Sequence, residues 1–270
     1  ILQNTIDGLK TITRIDMCVL DVDGKVLATT SPDASGYEES VSTFAKSPAD
    51  SQVISGHQFF KVYDDSQLEY ILLVMGGSDD VYIIGKLATF QIQNLMVAYK
   101  ERFDKDNFIK NLLLDNLLLV DIYNRAKKLH IDSEAKRVVL LVETQTEKDN
   151  TALETVRTLF ATRTRDFITA VDEKNIIIVK EVEQSETYKD IEQTAFVILD
   201  TLNTEAMSRV KVAFGTIISS LKDVSKSYKE AKMALDVGKI FYSDKNVVAY
   251  SNLGIGRLIY QLPIPLCKMF

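Results

Sequence analysis

A regular alternation of strand-like and helix-like segments over residues 137–251 constrains the fold of this chain more than any other feature. Five short apolar runs have the length of strands: "RVVLLVETQ", "DFITAV", "NIIIVKEV", "RVKVAFGTII" and "NVVAYS". Three segments between them carry apolar residues every three or four positions, as amphipathic helices do. The order βαββαβαβ predicts an α+β domain of ferredoxin-like type, in which helices pack on one sheet.

A second α/β pattern occupies the first 88 residues. Residues 2–13 have apolar side chains at helical spacing, and "DMCVLDVDGKVLATT" (16–30) predicts a hairpin that turns at Asp-Gly. A short helix is expected over 37–46. Three further strands are expected, over 57–64, 68–76 and 80–88, with Gly76-Gly77 in a hairpin turn between the last two.

A long apolar segment joins the two patterns. "ATFQIQNLMVAYKERF" has helical spacing, "DKDN" (104–107) is expected to interrupt the helix, and "FIKNLLLDNLLLVDIYNRAKKLHI" resumes it. The apolar positions of the last stretch cover more than one helix face. Such a segment packs on two partners, either two neighbouring domains or a second subunit; an ordinary helix within one domain is the alternative.

Charge and composition exclude several classes of protein. The net charge of −6 opposes a basic surface for nucleic acid on this chain. Two histidines and two distant cysteines, Cys18 and Cys267, do not form a zinc site, and we expect both thiols to be buried and reduced. No apolar run has the length of a membrane span, and "ILQNTIDGLK" does not resemble a signal peptide. A cytoplasmic protein is therefore expected.

The helix-like stretch "SYKEAKMALDVGKI" (227–240) resembles the closing helix of cyclic-dinucleotide cyclases of the GGDEF class. Such a cyclase needs a glycine-rich hairpin against its nucleotide and acidic residues for Mg²⁺. This chain has no glycine from residue 86 to residue 214, and its hairpin reads "VDEKNI". The first strand offers only Glu143, and "GGSDD" (76–80) lies outside the domain. We therefore expect no catalytic residues, no metal and no cofactor.

Three stretches follow one another in a recognisable order: "FIKNLLLDNLLLVDIYNRAKKLHI", "RVVLLVET" and "VAFGTIISSLKDVSKSYKEAKMALDVGKIFYSDKNVVAYSNLGIGRLIYQL". Over residues 107–270 this order resembles the sugar-diacid-regulator family of bacterial transcription factors, of CdaR or PucR type. The resemblance implies a degenerate, non-catalytic GGDEF-like domain and a DNA-binding helix-turn-helix in a further C-terminal segment. Residues 1–87 resemble a PAS-like or GAF-like sensor more than the family's sugar-diacid domain.

This resemblance implies four parts. They are a PAS/GAF-like sensor domain over 1–88, linker and signalling helices over 89–133, a degenerate GGDEF-like domain over 134–252, and the start of a connection to a missing DNA-binding domain over 253–270. The expected function is the ligand-sensing and dimerisation region of a transcriptional regulator. A homodimer suits palindromic operators, and DNA would be contacted only through the missing domain.

A small-molecule effector of unknown identity is expected in the sensor. Candidate ligand contacts lie on or beside its predicted strands and loops: Arg14, Thr29, Ser31, Tyr37, His57, Phe59, Lys61 and Tyr70. Among them Arg14, His57 and Lys61 can meet an anion. Three alternatives stay open: a nucleotide-binding effector that uses the GGDEF-like domain, a divergent cyclase, and a dimerisation scaffold that holds no ligand.

Overall fold

The computed structural model describes residues 2–32, 36–64, 66–145, 150–163 and 165–261. The chain forms two units, residues 1–102 and 103–270, and each has its own sheet. The predicted α+β class is confirmed. Cys267, the last residues and the expectations made for them lie outside the described part. None of the helices in the described part of the chain is long and apolar enough to cross a lipid bilayer.

The first unit contains a five-stranded antiparallel sheet. Its elements are α1 (Leu2–Thr13), β1 (Met17–Leu20), β2 (Val26–Thr29), α2 (Glu38–Lys46), β3 (Ser51–Ile54), β4 (His57–Asp64), β5 (Gln67–Val74) and the larger part of α3 (Asp79–Leu113). The strand order is β2-β1-β5-β4-β3. The predicted hairpin of β1 and β2 is confirmed, and so are helices α1 and α2.

Alternate residues of this sheet enter two separate cores, because successive side chains of a strand point to opposite faces. One core, which includes Val19, Phe60 and Leu72, lies beneath α1 and α3. The other, which includes Cys18 and Phe59, lies beneath α2. Burial raises the pKa of the Cys18 thiol to about 11, so this thiol is unreactive at neutral pH, as expected for a buried free cysteine.

Residues 80–88 are helical, which corrects the expected strand. Helix α3 begins at Asp79, so Gly76-Gly77 connects a strand to a helix and does not turn a hairpin. Acidic residues in the first turn favour a helix start through the helix dipole. Ala88 and Ile92 then recur at helical spacing inside the core. Contiguous apolar residues fit a strand or a helix equally well, and the local pattern does not separate the two.

Two further features of this region differ from expectation. Strand β3 was not predicted, because "SQVI" is short, partly polar and half exposed. The polar "DKDN" does not interrupt α3, which continues to Leu113. Asp106 pairs with Lys110 one turn later at 2.8 Å, and Phe108 and Ile109 are buried. Polar residues on the outer side of a helix are compatible with its continuation.

The second unit contains a five-stranded mixed sheet. After the end of α3 its elements are α4 (Leu119–Lys128), β6 (Arg137–Thr144), α5 (Asn150–Leu159), β7 (Phe167–Ala170), β8 (Asn175–Glu181), α6 (Tyr188–Thr204), β9 (Val210–Phe214), α7 (Val224–Phe241), β10 (Val247–Ala249) and α8 (Gly256–Gln261). The strand order is β10-β9-β6-β8-β7, and only β10 and β9 are parallel. The predicted order βαββαβαβ is confirmed.

Helices cover both faces of this second sheet. The end of α3 packs on one face with α4 and α7, and α5 and α6 pack on the other. Asp223 stands at the N-cap of α7 as predicted, but its side chain makes no capping hydrogen bond. The hydroxyl of Ser227 instead holds α7 to the sheet: it accepts from the Val139 N–H at 3.1 Å and donates to the Thr216 carbonyl at 2.8 Å.

Candidate functional site

Four of the eight candidate ligand contacts lie on the α2 side of the first sheet: Tyr37, His57, Phe59 and Lys61. The Tyr37 ring meets the His57 and Phe59 rings edge-on, with centroids 6.1 and 6.2 Å apart. His57 accepts a hydrogen bond at Nδ1 from the Gly76 N–H at 3.0 Å. The Lys61 side chain is buried, and its ammonium donates to the carbonyl of Ser47, the C-cap residue of α2. His57 Nδ1 and the Lys61 ammonium therefore already have partners within the fold.

The other four candidates do not join this group. Thr29 lies on β2, three strands away from β4 in the sheet order, and its hydroxyl donates to the Ser31 carbonyl at 3.0 Å. Tyr70 packs against the core beneath α1 and α3. Arg14 follows α1 with a left-handed backbone, φ 59°. An effector site made of all eight residues therefore stays a prediction that their arrangement does not favour.

The acidic residues of the expected cyclase edge are engaged in the second unit. Asp172 caps its hairpin: it accepts from the backbone N–H groups of Lys174 and Asn175 at 2.9 and 2.8 Å, and from the Asn175 amide. Partial burial raises the pKa of Asp172, but these hydrogen bonds outweigh it and hold that pKa below its usual value. Among the described residues no group of three or more acidic, histidine or cysteine side chains is arranged to hold a metal ion.

A cavity of about 950 Å³ lies at the same edge, where β6 ends and β9 begins. We call it the basic cavity, because its lining includes four cationic side chains and one carboxylate. The cations are Lys174, Arg209, Lys211 and Lys239, and the carboxylate is Glu143. Asn203, Ser208 and Asn246 add polar groups. Both its size and its convergent polar groups are typical of small-molecule sites.

Different elements carry the cations of the basic cavity. Lys174 precedes β8, and Lys239 lies in the last turn of α7. Lys211 stands on β9 opposite Glu143 of β6. Lys239 forms an ion pair with Glu143 at 2.5 Å, and Lys211 donates to the Ser243 carbonyl at 3.3 Å. Even with Lys174 left out, one carboxylate cannot neutralise the three cations Arg209, Lys211 and Lys239, so the described lining of the cavity has an excess of positive charge.

The comparison with protein families decides the nature of this unit, because residues 116–237 match the family described as the GGDEF-like domain. Residues 116–237 form a GGDEF-like domain. The match begins before α4 and ends within α7, whereas the sequence predicted bounds of 134–252. The GGDEF-like domain predicted from "SYKEAKMALDVGKI" is thus confirmed, and nothing in the match distinguishes a CdaR or PucR type.

Comparisons of the whole chain are less informative. The search of curated proteins gave no match. Two solved structures are similar, both of PelD 158-CT from Pseudomonas aeruginosa PAO1. The first has 13% identity and a TM-score of 0.27, and covers 91% of this chain and 90% of that one. The second, a complex with c-di-GMP, has 11% identity and a TM-score of 0.24. It covers 90% of this chain and 87% of that one. TM-scores this low do not establish a shared fold, so nothing about this chain is concluded from these two structures.

Sequence reasoning missed the cations of the basic cavity, although it singled out two of the segments that carry them. Lys174 lies in "VDEKNI" and Lys239 in the stretch 227–240. The prediction for the hairpin concerned acidic residues and glycines, on which a cyclase depends, and the prediction for the stretch 227–240 concerned only its resemblance to the closing helix. The signal available in the sequence was that basic residues stand at the ends of several predicted elements. It was insufficient because only the strand order of the folded sheet brings those ends together.

Proposed function

We propose that the GGDEF-like domain is a non-catalytic receptor that binds the phosphate groups of a nucleotide in the basic cavity. The observation that carries the proposal is the excess of cations among the described lining residues: even without Lys174, the cations Arg209, Lys211 and Lys239 stand against the single carboxylate of Glu143. Ammonium and guanidinium groups bind phosphate oxygens through short, charge-assisted hydrogen bonds. The side-chain amides of Asn203 and Asn246 offer donors and acceptors for a base or a sugar.

The same edge gives no support to cyclase chemistry. Mg²⁺ at a nucleotide is held by oxygen ligands, chiefly carboxylates. Glu143 is paired with Lys239, and the Asp172 carboxylate is occupied by the hairpin. A domain whose acidic groups are engaged in this way and whose cations face a cavity is suited to hold phosphates rather than to activate them. We therefore propose that the chain is not an enzyme.

Isothermal titration calorimetry with GTP and with cyclic di-GMP tests this proposal. Cyclic di-GMP is included because it is the ligand in one PelD structure. We expect saturable binding that persists without Mg²⁺, and no turnover of GTP. Substituting both Arg209 and Lys211 by Gln should weaken binding by at least about a hundredfold, because each of the two lost charge-assisted hydrogen bonds is worth about 1.5 kcal/mol or more.

The control is Arg157→Gln on α5, which removes one partly exposed charge of the same domain that does not line the basic cavity. It should bind like the wild type. No binding of either nucleotide at millimolar concentration would refute the receptor function. A nucleotide product formed with GTP and Mg²⁺ above background would instead favour the divergent cyclase.

Arg163 offers a rival location for a nucleotide within the same domain. Its guanidinium is half exposed and lies 3.9 Å from Glu186. Nearby, Asp166 accepts the Glu181 N–H at 2.8 Å through Oδ1, and its Oδ2 has no partner among the described residues. An arginine beside a carboxylate can read guanine, whose edges carry both acceptors and N–H donors. If Arg163→Gln abolishes nucleotide binding and the double substitution of Arg209 and Lys211 does not, the receptor function stands and its site lies beside Arg163.

A second function, the sensing and dimerisation region of a CdaR or PucR-type regulator in the cytoplasm, is supported by one feature of α3. Four apolar side chains on its outer face are more than half exposed: Ile83, Leu87, Phe90 and Val97. Together with the exposed Asn94 they recur with steps of four and three residues, the spacing of a coiled-coil seam. We propose that this seam joins two copies of the chain. Effector binding in the first unit and DNA binding through a further domain belong to the same proposal.

A further inference from the structure

The loop between α6 and β9 contributes an exposed methionine to the basic cavity. Met207 lines this cavity, and 89% of its surface is exposed. Val210 is the other apolar residue among the described residues of the lining, and it is buried. All other described residues of the lining are polar or charged. Met207 is therefore the apolar surface that a ligand in this cavity would meet.

The packing of this loop gives no structural reason for a large apolar side chain at position 207. Ala206 packs against the core under α5 and α6, and Ser208 is buried, whereas Met207 belongs to neither core of the described second unit. The Ser208 N–H donates to the Leu202 carbonyl at 3.1 Å, which fixes the turn. The backbone of Met207 is left-handed, φ 49°, a conformation that glycine and asparagine adopt more readily. A strained residue whose side chain adds nothing to a core points to a role in function.

The lining residues close to Met207 in sequence offer two kinds of polar group. Arg209 and Lys211, at the start of β9, are cations suited to phosphates. Asn203, in the last turn of α6, carries an amide that can donate and accept. Met207 adds a flexible, polarisable thioether, a group that makes favourable contacts with aromatic rings. Phosphates, the polar edge of a base and the face of a base thus each have a matching group in this lining.

We propose that Met207 contacts the face of the base of a nucleotide bound in the basic cavity, with the Asn203 amide at the edge of that base. This inference rests on the nucleotide receptor proposed above and adds that the ligand needs an aromatic base. A polyphosphate without a base would satisfy the cations alone. Met207 then determines specificity, because it favours GTP over an inorganic chain of the same three phosphates.

An NMR titration of the whole chain, labelled with ¹³C in the methionine methyl groups, tests this contact directly. The signal of Met207 is identified by its loss in Met207→Leu, and that of Met17, buried in the first unit, is the reference. The probes are GTP and inorganic tripolyphosphate, both without Mg²⁺. We expect GTP to shift the Met207 signal saturably, because the ring current of a base acts on a methyl group beside its face. Tripolyphosphate should bind without this shift.

Calorimetric titrations of three variants separate a base contact from a general effect on the domain. Met207→Ala should weaken GTP binding by about threefold or more through the loss of a sulfur–aromatic contact, and should leave tripolyphosphate binding within about twofold. Met207→Leu keeps an apolar side chain and should retain most of the affinity for GTP. The matched control is Leu118→Ala, at a residue of the same domain that is 75% exposed and is not part of the described lining. It should bind both ligands like the wild type.

The possible failures of this inference and of the receptor function are distinguishable. GTP binding that leaves the Met207 signal unshifted would overturn the base contact and leave the receptor function standing. The same holds if Met207→Ala binds GTP like the wild type or loses affinity for both ligands equally, or if tripolyphosphate shifts the signal as strongly as GTP. Absence of binding of both ligands would instead refute the receptor function, and the base contact with it.

Discussion

At the scale of single residues, Lys180 of the second unit is fully buried and forms an ion pair with Glu186. The Lys180 ammonium donates to both carboxylate oxygens of Glu186 at 2.7 Å and to the Glu181 carbonyl at 2.9 Å. Partial burial raises the pKa of Glu186. The hydrogen bonds from Lys180 and from the Glu183 N–H outweigh this effect and lower the pKa below its usual value. Glu186 is therefore ionised at neutral pH, and its charge contributes to stability.

We expect Glu186→Gln to lower the free energy of unfolding at pH 7 by about 3 kcal/mol, because Lys180 would stay buried without a counter-charge. A carboxyl with a depressed folded pKa stabilises the fold above its unfolded pKa of about 4.3, and this contribution is lost as the pH falls through the folded pKa. Urea unfolding from pH 7 to pH 3 should thus show the difference from wild type shrinking below about pH 4. Glu183→Gln changes an exposed neighbouring residue and should leave the free energy of unfolding within about 0.5 kcal/mol of the wild type. A difference that does not vary with pH would contradict this account.

At the scale of elements, the position of α7 depends on close contact between two backbones. A Cβ atom on Gly215, just after β9, would lie 2.1 Å from the Ser227 carbonyl oxygen of α7. The Gly215 carbonyl also accepts the Tyr188 hydroxyl at 3.1 Å, which connects the same point to α6. Only glycine permits this approach. Since α7 carries Lys239, the contact also helps to place one wall of the basic cavity.

Gly215→Ala should therefore destabilise the second unit by about 2 kcal/mol, the cost of overpacking a site whose neighbour is backbone. The measurement is the free energy of unfolding in urea, with the far-ultraviolet circular dichroism of the native state compared first. Gly8→Ala is the matched control, because a Cβ there meets nothing within 4 Å and α1 is helical. It should be neutral or stabilising by up to about 1 kcal/mol. Equal effects of the two substitutions would show that the close contact is unimportant.

The sequence predicted elements well where apolar spacing was unambiguous, and poorly where it was not. In the second unit every predicted strand and helix from Arg137 to Ala249 is present, because polar turns separate runs of clearly different period. The strand expected over 80–88 is helical, since "VYII" fits both periods and the deciding factor is packing of the helix on the sheet. Gly85 shows that packing: a Cβ there would lie 2.1 Å from the Phe60 ring. Such long-range contacts leave no local signal.

At the scale of the whole molecule, the site was harder to predict than the fold for a related reason. The cations of the basic cavity lie between residues 174 and 239, and they converge only because β6, β8 and β9 are neighbours in the sheet. Their positive charge is hidden in a chain whose net charge is −6. Net charge therefore argues against a general basic surface, but it does not exclude a local one.

The seam on α3 makes the assembly of the chain testable. We expect sedimentation equilibrium at micromolar concentration to give the mass of a dimer. The double substitution Leu87→Lys and Phe90→Lys should give a monomer, because it places like charges at the centre of the contact between the two helices. Both side chains are more than half exposed in a single chain, so the variant should keep its native circular dichroism. Ile12→Lys, at an exposed apolar residue of α1, should remain dimeric. A monomeric wild type, or a doubly substituted chain that still dimerises, would remove the seam as the interface and with it the structural support for a dimeric regulator.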